Sequence, residues 1–396
     1  MPQGLTASQH LRGLLGPETR DTAPKASGGP AAEVAEAMFT HPEAEGHELV
    51  QYVRDPSCGL RAIIAVHSTV RGPAFGGCRM WPYASEAAAL SDALRLSRGM
   101  TCKAAIMELP WGGGKTVVIA DPARDKTPAL LLALAGAIER LHGRYIIADD
   151  IGTSIDDLAL MRQVTRHTAA ATLAARAPLA VTAYGVFMAI RAAVLHRLGR
   201  SDLEGLKVAV QGLGHVGMPL CDHLHAAGAK LVVADLDPRR TAQAAARYGA
   251  QVVEPEAIFA QPVDLLAPCA LGAVLDDHTI PRLQAKLVAG GANNQLAAAR
   301  HDAMLAERGI LYVPDYIANA GGVIDFHQEQ RDDRPEAVLA AVARIHDVTL
   351  DVLERAKATG ATPLTMADRL VAERLRPGGE PAGPRDGAGD ATGGGA

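Results

Sequence analysis

Cysteine is scarce and unpaired in this sequence: Cys58, Cys78, Cys102, Cys221 and Cys269 are scattered and form no CxxC pair. An odd set of this kind fits neither a disulfide framework nor a zinc site, so no metal is expected and the thiols read as reduced, in a cytoplasmic protein. No stretch of about 18 uninterrupted apolar residues occurs, and neither a transmembrane helix nor a membrane partner is expected. A basic excess is also missing. The formal net charge is -5 at pH 7 and the pI ≈ 6.3, which argues against nucleic acid as a partner. The first residues mix Pro, Gly, Ser, Arg and acids without the apolar run of a secretory leader. No internal repeat of about 20–50 residues is found.

What is present is length, apolar content and glycine. A chain of 396 residues, 48% hydrophobic, is too long for one ordinary core and suits two domains of roughly 100–200 residues each. Part of the 40 glycines fall in Pro377–Ala396, a low-complexity tail that cannot pack a core. Others sit in tight clusters inside apolar sequence.

The first half reads as mixed α/β. Apolar runs at Gly59–Val66, Lys115–Ala120 and Tyr145–Ala148 are strand-like. Ser85–Gly99, Thr127–His142 and the stretch opening at Ser154-x-x-Asp157 carry helix starts. The second half alternates strictly: strand Leu206–Gln211, helix Val216–Ala227, strand Lys230–Ala234, helix Pro238–Tyr248, then apolar strands near Val252, Leu265, Leu287 and Leu311. That order predicts a parallel, doubly wound sheet. One long helix over Pro335–Lys357 and another over Pro363–Arg374 close the folded part.

Three motifs carry chemistry. Gly212-Leu213-Gly214-His215-Val216-Gly217 follows a strand and opens a helix. The first glycine permits the tight turn, the second lets backbone approach a pyrophosphate, and the third lets helix and strand pack closely. Asp235 ends the next strand about 20 residues on, where a carboxylate meets ribose hydroxyls and repels a 2′-phosphate, so NAD is expected rather than NADP. In Gly112-Gly113-Gly114-Lys115 a phosphate loop is excluded, because GxxxxGK[ST] needs glycine where Leu109 stands. The segment is expected to deliver Lys115 from a flexible turn. If Lys103, placed beyond a helix ending near Gly99, shares a cleft with Lys115, charge repulsion and burial bring one amine toward neutrality. Asp149 and Asp150 lie at the carboxyl end of a strand, where ligands gather in open α/β sheets, and either is a candidate acid/base. Lysine, aspartate and NAD together suggest hydride transfer at a carbon bearing an amine or hydroxyl.

These residues resemble a known family. Gly72–Tyr83 (GPAFGGCRMWPY), Leu94–Ala105 (LRLSRGMTCKAA), Gly112–Lys115 (GGGK), Ala148–Ser154 (ADDIGTS), Thr182–Val186 (TAYGV), Ala209–Gly217 (AVQGLGHVG), Gly291–Leu296 (GANNQL) and Pro314–Ile324 (PDYIANAGGVI) look like the Glu/Leu/Phe/Val dehydrogenases, nearest to the leucine branch. The resemblance implies that Lys115 is the catalytic lysine, with a depressed pKa, and that Asp150 exchanges protons with the amine or imine. It implies that Lys103 holds the substrate α-carboxylate, helped by backbone at Gly76 and Gly77 and by the amide of Asn293. Thr182 would lie near the nicotinamide carboxamide, Asn293 would also touch the cofactor, and Phe75, Ala148 and Val323 would line an apolar side-chain pocket. The implied reaction is reversible, NAD-dependent oxidative deamination of an apolar L-amino acid to the 2-oxo acid and ammonia, by a homo-oligomer. Implied boundaries are an extension over 1–37, a substrate domain over 38–165 completed by helices in 335–375, a Rossmann NAD domain over 166–334, and a disordered tail over 376–396.

The sequence departs from the family in places. Phe75 stands where the glutamate branch has lysine, which argues against glutamate, and where leucine dehydrogenases usually have leucine; an aromatic amino acid is the alternative substrate class. Residues 175–181 lack the usual GDPSP-like stretch, which leaves a catalytically idle NAD- and amino-acid-binding homologue as a third reading. Trp111 and Glu108 replace smaller residues ahead of GGGK and are read as narrowing the cleft or marking a specialised paralogue.

Overall fold

The structure is a computed structural model and describes residues 38–169, 180–331 and 334–376. The 1–37 extension, the tail from 377 onward and positions 175–179 of the departing segment lie outside the described residues.

Five strands form the first sheet: Leu49–Asp55 (β1), Leu60–Ser68 (β2), Ala74–Trp81 (β3), Gly112–Ile119 (β4) and Tyr145–Asp149 (β5), in the order β1-β2-β4-β3-β5. The β1/β2 and β2/β4 pairs are antiparallel, whereas β3 runs parallel to both β4 and β5. Here the sequence reading needs correcting. The three glycines before Lys115 are not a flexible turn; they are buried central-strand backbone. A Cβ on Gly113 would lie 2.1 Å from the Thr101 nitrogen, and one on Gly114 would lie 2.6 Å from the Tyr145 ring. Glycine serves close packing here, a use that composition alone does not separate from a turn.

Helix Glu86–Ile106 (α1) lies against β2 and β4. Ser85 caps it by accepting from the Ala88 N–H, as the Ser–Glu start predicts. It does not stop at Gly99 but continues another two turns, because Thr101, Cys102 and Ala104–Ile106 extend the buried face. The roughly 1 kcal/mol cost of a helical glycine is small beside that burial. Lys103 is therefore in the last turn of α1, not beyond it. Pro128–Glu139 (α2) is capped by Thr127 and Ile155–Met161 (α3) by a Ser154/Asp157 capping box.

The second sheet is wholly parallel: Lys207–Gln211 (β6), Lys230–Ala234 (β7), Gln251–Val252 (β8), Leu265–Pro268 (β9), Leu287–Val288 (β10) and Leu311–Tyr312 (β11), ordered β11-β10-β9-β6-β7-β8. This is the doubly wound order of a dinucleotide-binding sheet, with its switch point between β6 and β9. Helices Gly217–Ala226 (α5) and Pro238–Tyr248 (α6) cross between its strands. They follow Val181–Leu198 (α4), a helix long and apolar enough to cross a membrane by length and composition. Ten of its residues are buried in the protein core, where α5 packs on it. Together the two sheets give a two-domain α/β architecture.

Further along the chain come Arg300–Glu307 (α7), Asp315–Ala318 (α8) and Gly321–Glu329 (α9). The single helix expected over Pro335–Lys357 is two, Pro335–Ala343 (α10) and Ile345–Thr359 (α11), broken at Arg344, where ψ of -16° tightens the turn. Both pack on α4, whereas Pro363–Arg374 (α12) returns to α1. There the Arg374 guanidinium donates to the carbonyl oxygens of Ala105 and Ile106 at 3.3 and 2.6 Å, satisfying the open C-terminal end of α1.

Candidate active site

The substrate-side residues converge because β3, β4 and β5 point their carboxyl ends the same way. Lys115 projects from β4, Asp150 follows β5, and β3 runs between them. Neighbouring strands are about 4.8 Å apart, so the lysine must cross β3 to reach the aspartate. It does, with Nζ 2.6 Å from Asp150 Oδ2. Gly77 lies beneath the crossing. A Cβ there would sit 2.8 Å from the Asp149 carbonyl oxygen and from the Asp150 Cβ, and 3.1 Å from Lys115 Nζ. Gly76, on the opposite face of β3, packs on the Gly114 carbonyl and does not line the cleft.

Asp150 Oδ2 also accepts from Arg79 Nε at 3.1 Å. Burial works to raise the Asp150 pKa, but Lys115 and Arg79 outweigh it and hold the carboxylate well below its ordinary range. The resting site thus presents an ionised Asp150. Asp149 is the more exposed neighbour, and burial raises its pKa. Of the two candidate aspartates, Asp150 carries the lysine.

Lys103 enters from α1, and its Nζ donates to Asn293 Oδ1 at 2.6 Å. Burial lowers its pKa to about 8; Lys115 reinforces this and Asp315 opposes it. Lys103 is therefore an amine that burial, above all, brings toward neutrality. Asp315 accepts from the Gln295 N–H at 3.0 Å, and burial holds its pKa above the usual value. The Asn293 oxygen takes a second bond from Asn319 Nδ2 at 3.0 Å. With that oxygen committed, the Asn293 amide N–H groups are left for a ligand.

These groups line one cleft of about 380 Å³, inside the roughly 300–1,000 Å³ range of small-molecule sites. Lys115, Asp150, Lys103, Gly77, Asn293, Phe75, Ala148, Val323, Thr182 and Val216 all border it. Its apolar wall is built on a stacked pair, Phe75 and Phe326, with ring centroids 3.8 Å apart and planes 4° apart. Trp111 does not border the cleft; it packs behind Phe326 at 5.1 Å, so it narrows the pocket only through that ring. Glu108 is likewise turned away, paired with Arg374 at 2.8 Å.

The glycine-rich turn tops β6, and of its residues only Val216 reaches the cleft lining. Gly212 has φ +88°, and a Cβ on Gly217 would lie 1.8 Å from the Gly212 carbonyl oxygen. Backbone N–H groups at the start of α5 have no side-chain cap, leaving an anion cradle that suits a dinucleotide pyrophosphate. Asp235 Oδ2 accepts from the Leu213 N–H at 2.6 Å and Oδ1 from the Asp237 N–H at 2.8 Å. Arg240 approaches the same carboxylate at 3.7 Å.

Sequence reasoning missed Arg79, Asn319 and Phe326. Phe326 was within reach, because it lies one helical turn after Val323, and positions i and i+3 share a face. Arg79 lies inside the GPAFGGCRMWPY motif, two residues after Gly77, on the same face of β3 as Phe75 and Gly77.

Family models for the dimerisation domain of Glu/Leu/Phe/Val dehydrogenases and for glutamate/leucine/phenylalanine/valine dehydrogenase match residues 47–167 and residues 176–238 and 236–371. Leucine dehydrogenase of Thermoactinomyces intermedius is 46% identical over 341 residues, covering 85% of this chain and 93% of that protein. L-tryptophan dehydrogenase of Nostoc punctiforme is 45% identical over 339 residues, covering 85% and 96%. The crystal structure of the latter superposes with a TM-score of 0.69 over 83% of this chain and 96% of its own. A hetero-hexameric glutamate dehydrogenase of Thermus thermophilus matches at 25% identity with a TM-score of 0.68, over 83% and 87%. With both halves of the chain matched and the relatives covered nearly end to end, this protein is a member of the Glu/Leu/Phe/Val dehydrogenase family, an amino acid dehydrogenase.

Proposed function

We propose that the protein catalyses reversible oxidative deamination of a branched-chain, leucine-like L-amino acid, with NAD as the acceptor. The observation that carries this reading is the cleft itself, in which two lysines and an aspartate share the lining with a stacked phenylalanine pair. The amino acid, NAD and water give the 2-oxo acid, ammonium, NADH and a proton.

Lys103 and the free amide N–H groups of Asn293 hold the α-carboxylate and so fix which face of the α-carbon is presented. Asp150, ionised, takes a proton from the substrate ammonium once its pair with Lys115 loosens. Lys115 then stands over the α-carbon, where it orients the attacking water and stabilises the oxygen of the product carbonyl. NAD, when bound, would supply the two-electron acceptor, and Thr182 and the 212–217 turn are the residues that would hold it. Phe75, Ala148, Val323 and Phe326 leave room for a branched aliphatic side chain and no charge to pair a second carboxylate, which disfavours glutamate.

NAD is preferred to NADP on the strength of Asp235, which would face a 2′-phosphate with like charge. Arg239 and Arg240 stand nearby, so both cofactors belong in the test. We also infer a homo-oligomer in the cytoplasm, in keeping with the family likeness, and the hetero-hexamer of the Thermus relative supports assembly. The substrate domain is taken as 38–165 with helices from 335–375, and the NAD domain as 166–334, closing on the substrate to exclude water.

A panel of apolar, aromatic and acidic L-amino acids, followed by NADH absorbance with NADP in parallel, tests the reading. Leucine, valine or isoleucine should give the highest kcat/KM, and Lys115→Ala should remove turnover while NAD still binds. An aromatic optimum would replace the substrate assignment, and no turnover with any amino acid would refute the activity.

A further inference from the structure

Arg79 belongs to no role assigned above, yet it is the second cation on the aspartate that the reaction uses. Its side chain is mostly buried, with 14% of its surface exposed. Nε donates to Asp150 Oδ2 at 3.1 Å and Nη1 donates to Asp92 Oδ2 at 3.0 Å. The hydroxyl of Tyr83 donates to that same Asp92 oxygen. Asp92 sits on α1 and Tyr83 lies just past β3, so the guanidinium spans from the helix that carries Lys103 to the loop that carries Asp150. Two of its donor groups are committed in a fixed fork, a geometry that lysine cannot reproduce with one ammonium.

We propose that Arg79 is a positioning residue for Asp150, anchored by Asp92 and Tyr83, that keeps the carboxylate ionised and aimed when Lys115 leaves it to engage the substrate. The proposal rests on the proton-transfer role given to Asp150 and adds the device that sustains it. In the resting cleft Lys115 alone could hold the carboxylate. During turnover Lys115 is needed at the α-carbon, and Asp150 would otherwise be a partly buried carboxylate beside a buried thiol. The other titratable groups facing it cannot take over. Asp149 on the same strand end is of like charge, Cys78, Tyr83 and Tyr145 are neutral, and Lys103 is committed to Asn293. Arg79 is the cation that does not move, because Asp92 holds its other end. Burial alone would lower the Arg79 pKa, and Asp150 and Asp92 more than reverse that.

Two variants pull in opposite directions. Arg79→Gln removes the positive charge that faces Asp150, whereas Asp92→Asn keeps Arg79 but removes the competing negative charge. An adjacent guanidinium holds an aspartate down by about one to three pH units. The acid limb of kcat, which reports the substrate complex, should therefore rise in Arg79→Gln by about one pH unit or more, with kcat at neutral pH falling at least about tenfold, the low end of a proton-transfer contribution. Amino acid KM should change little, since Lys103 is untouched. Arg79→Lys should recover part of kcat. Asp92→Asn should leave the acid limb in place or move it down. Arg79→Gln protein that melts and binds NAD like the parent, yet keeps its pH profile, overturns the proposal. If Arg79→Gln does not fold, Arg79→Lys carries the test: a raised acid limb with a reduced kcat supports the proposal, and the parent kcat and pH profile overturn it. Asp150→Asn run in parallel separates the two readings: full activity there removes the proton-transfer role itself.

Discussion

Replacing Phe326 by valine tests whether the stacked rings set the depth of the side-chain pocket. Phe75 and Phe326 are 5% and 4% exposed, and their rings lie 3.8 Å apart with Trp111 closing the back. Losing a ring pair costs about 0.5–1.5 kcal/mol beyond the buried area. Truncating a buried phenylalanine to alanine costs about 3–5 kcal/mol, and valine, which keeps part of the volume, should cost roughly 2–3 kcal/mol. In a domain of this size that is a fall in Tm of roughly 4–12 °C, which leaves the fold intact at assay temperature. The space released is about that of a ring, and it opens beside the position of the substrate side chain. Steric discrimination in apolar pockets is worth about 1–3 kcal/mol, roughly 10–200-fold. The ratio of kcat/KM for phenylalanine to that for leucine should therefore rise at least about tenfold, mainly through gain on phenylalanine. Initial rates by NADH absorbance, with a melting curve on the same preparation, measure both numbers. A ratio within about threefold of the parent, in protein that melts in one transition, would refute the assignment of Phe326 to the pocket wall.

Three further perturbations address other parts of the site. Lys103→Met should raise amino acid KM strongly with NAD affinity unchanged. Because the Lys103 pKa falls from 10.5 to about 8 on folding, its charge costs stability below about pH 8, and that cost is relieved as pH rises toward 10.5. The methionine variant should thus melt no lower than the parent at neutral pH, and parent KM should rise with pH above about 8, when the amine loses the charge that holds the carboxylate. Gly77→Ala places a methyl 3.1 Å from Lys115 Nζ and 2.8 Å from the Asp150 Cβ; kcat should fall about a hundredfold, as misplacement near 1 Å does, and an unaffected kcat would mean that Lys115 does not cross β3 during turnover. Asp235→Ser should raise the KM for NAD and lower that for NADP as Arg240 is freed; unchanged cofactor preference would remove Asp235 from that role.

Much of this was readable because the informative signals are local. The alternation after Leu206 and the glycine spacing at 212–217 each need only short-range geometry, and the six-stranded parallel sheet has the expected helices between its strands. Caps at Ser85, Thr127 and Ser154 are one-turn interactions and stand where their residue types predict. The reading went astray where tertiary packing decides. Gly112–Gly114 looks like a turn to any rule based on glycine's freedom, and only the Thr101 backbone and the Tyr145 ring reveal a strand pressed too tightly for a side chain. Strand β3 was not seen at all, because Gly76 and Gly77 interrupt its pattern for the same reason. Lys103 looked as if it stood past a helix end because Gly99 mimics a stop signal, whereas burial of the following residues carries the helix through it. Phe326 and Trp111 form one wall with Phe75, and partners so far apart in the chain leave no trace in local spacing.

The Lys115–Asp150 pair also ties the molecule mechanically. It bridges the central strand of the first sheet to an edge strand, over the top of the strand between them, and so fastens the 150–153 loop to the least deformable part of that sheet. Whatever draws Lys115 away removes one tie from that loop, while Arg79 keeps its hold on Asp150. Amide exchange at Asp150–Thr153 should then quicken when a substrate analogue binds, against the usual slowing around a ligand, while the amides of β4 stay protected throughout.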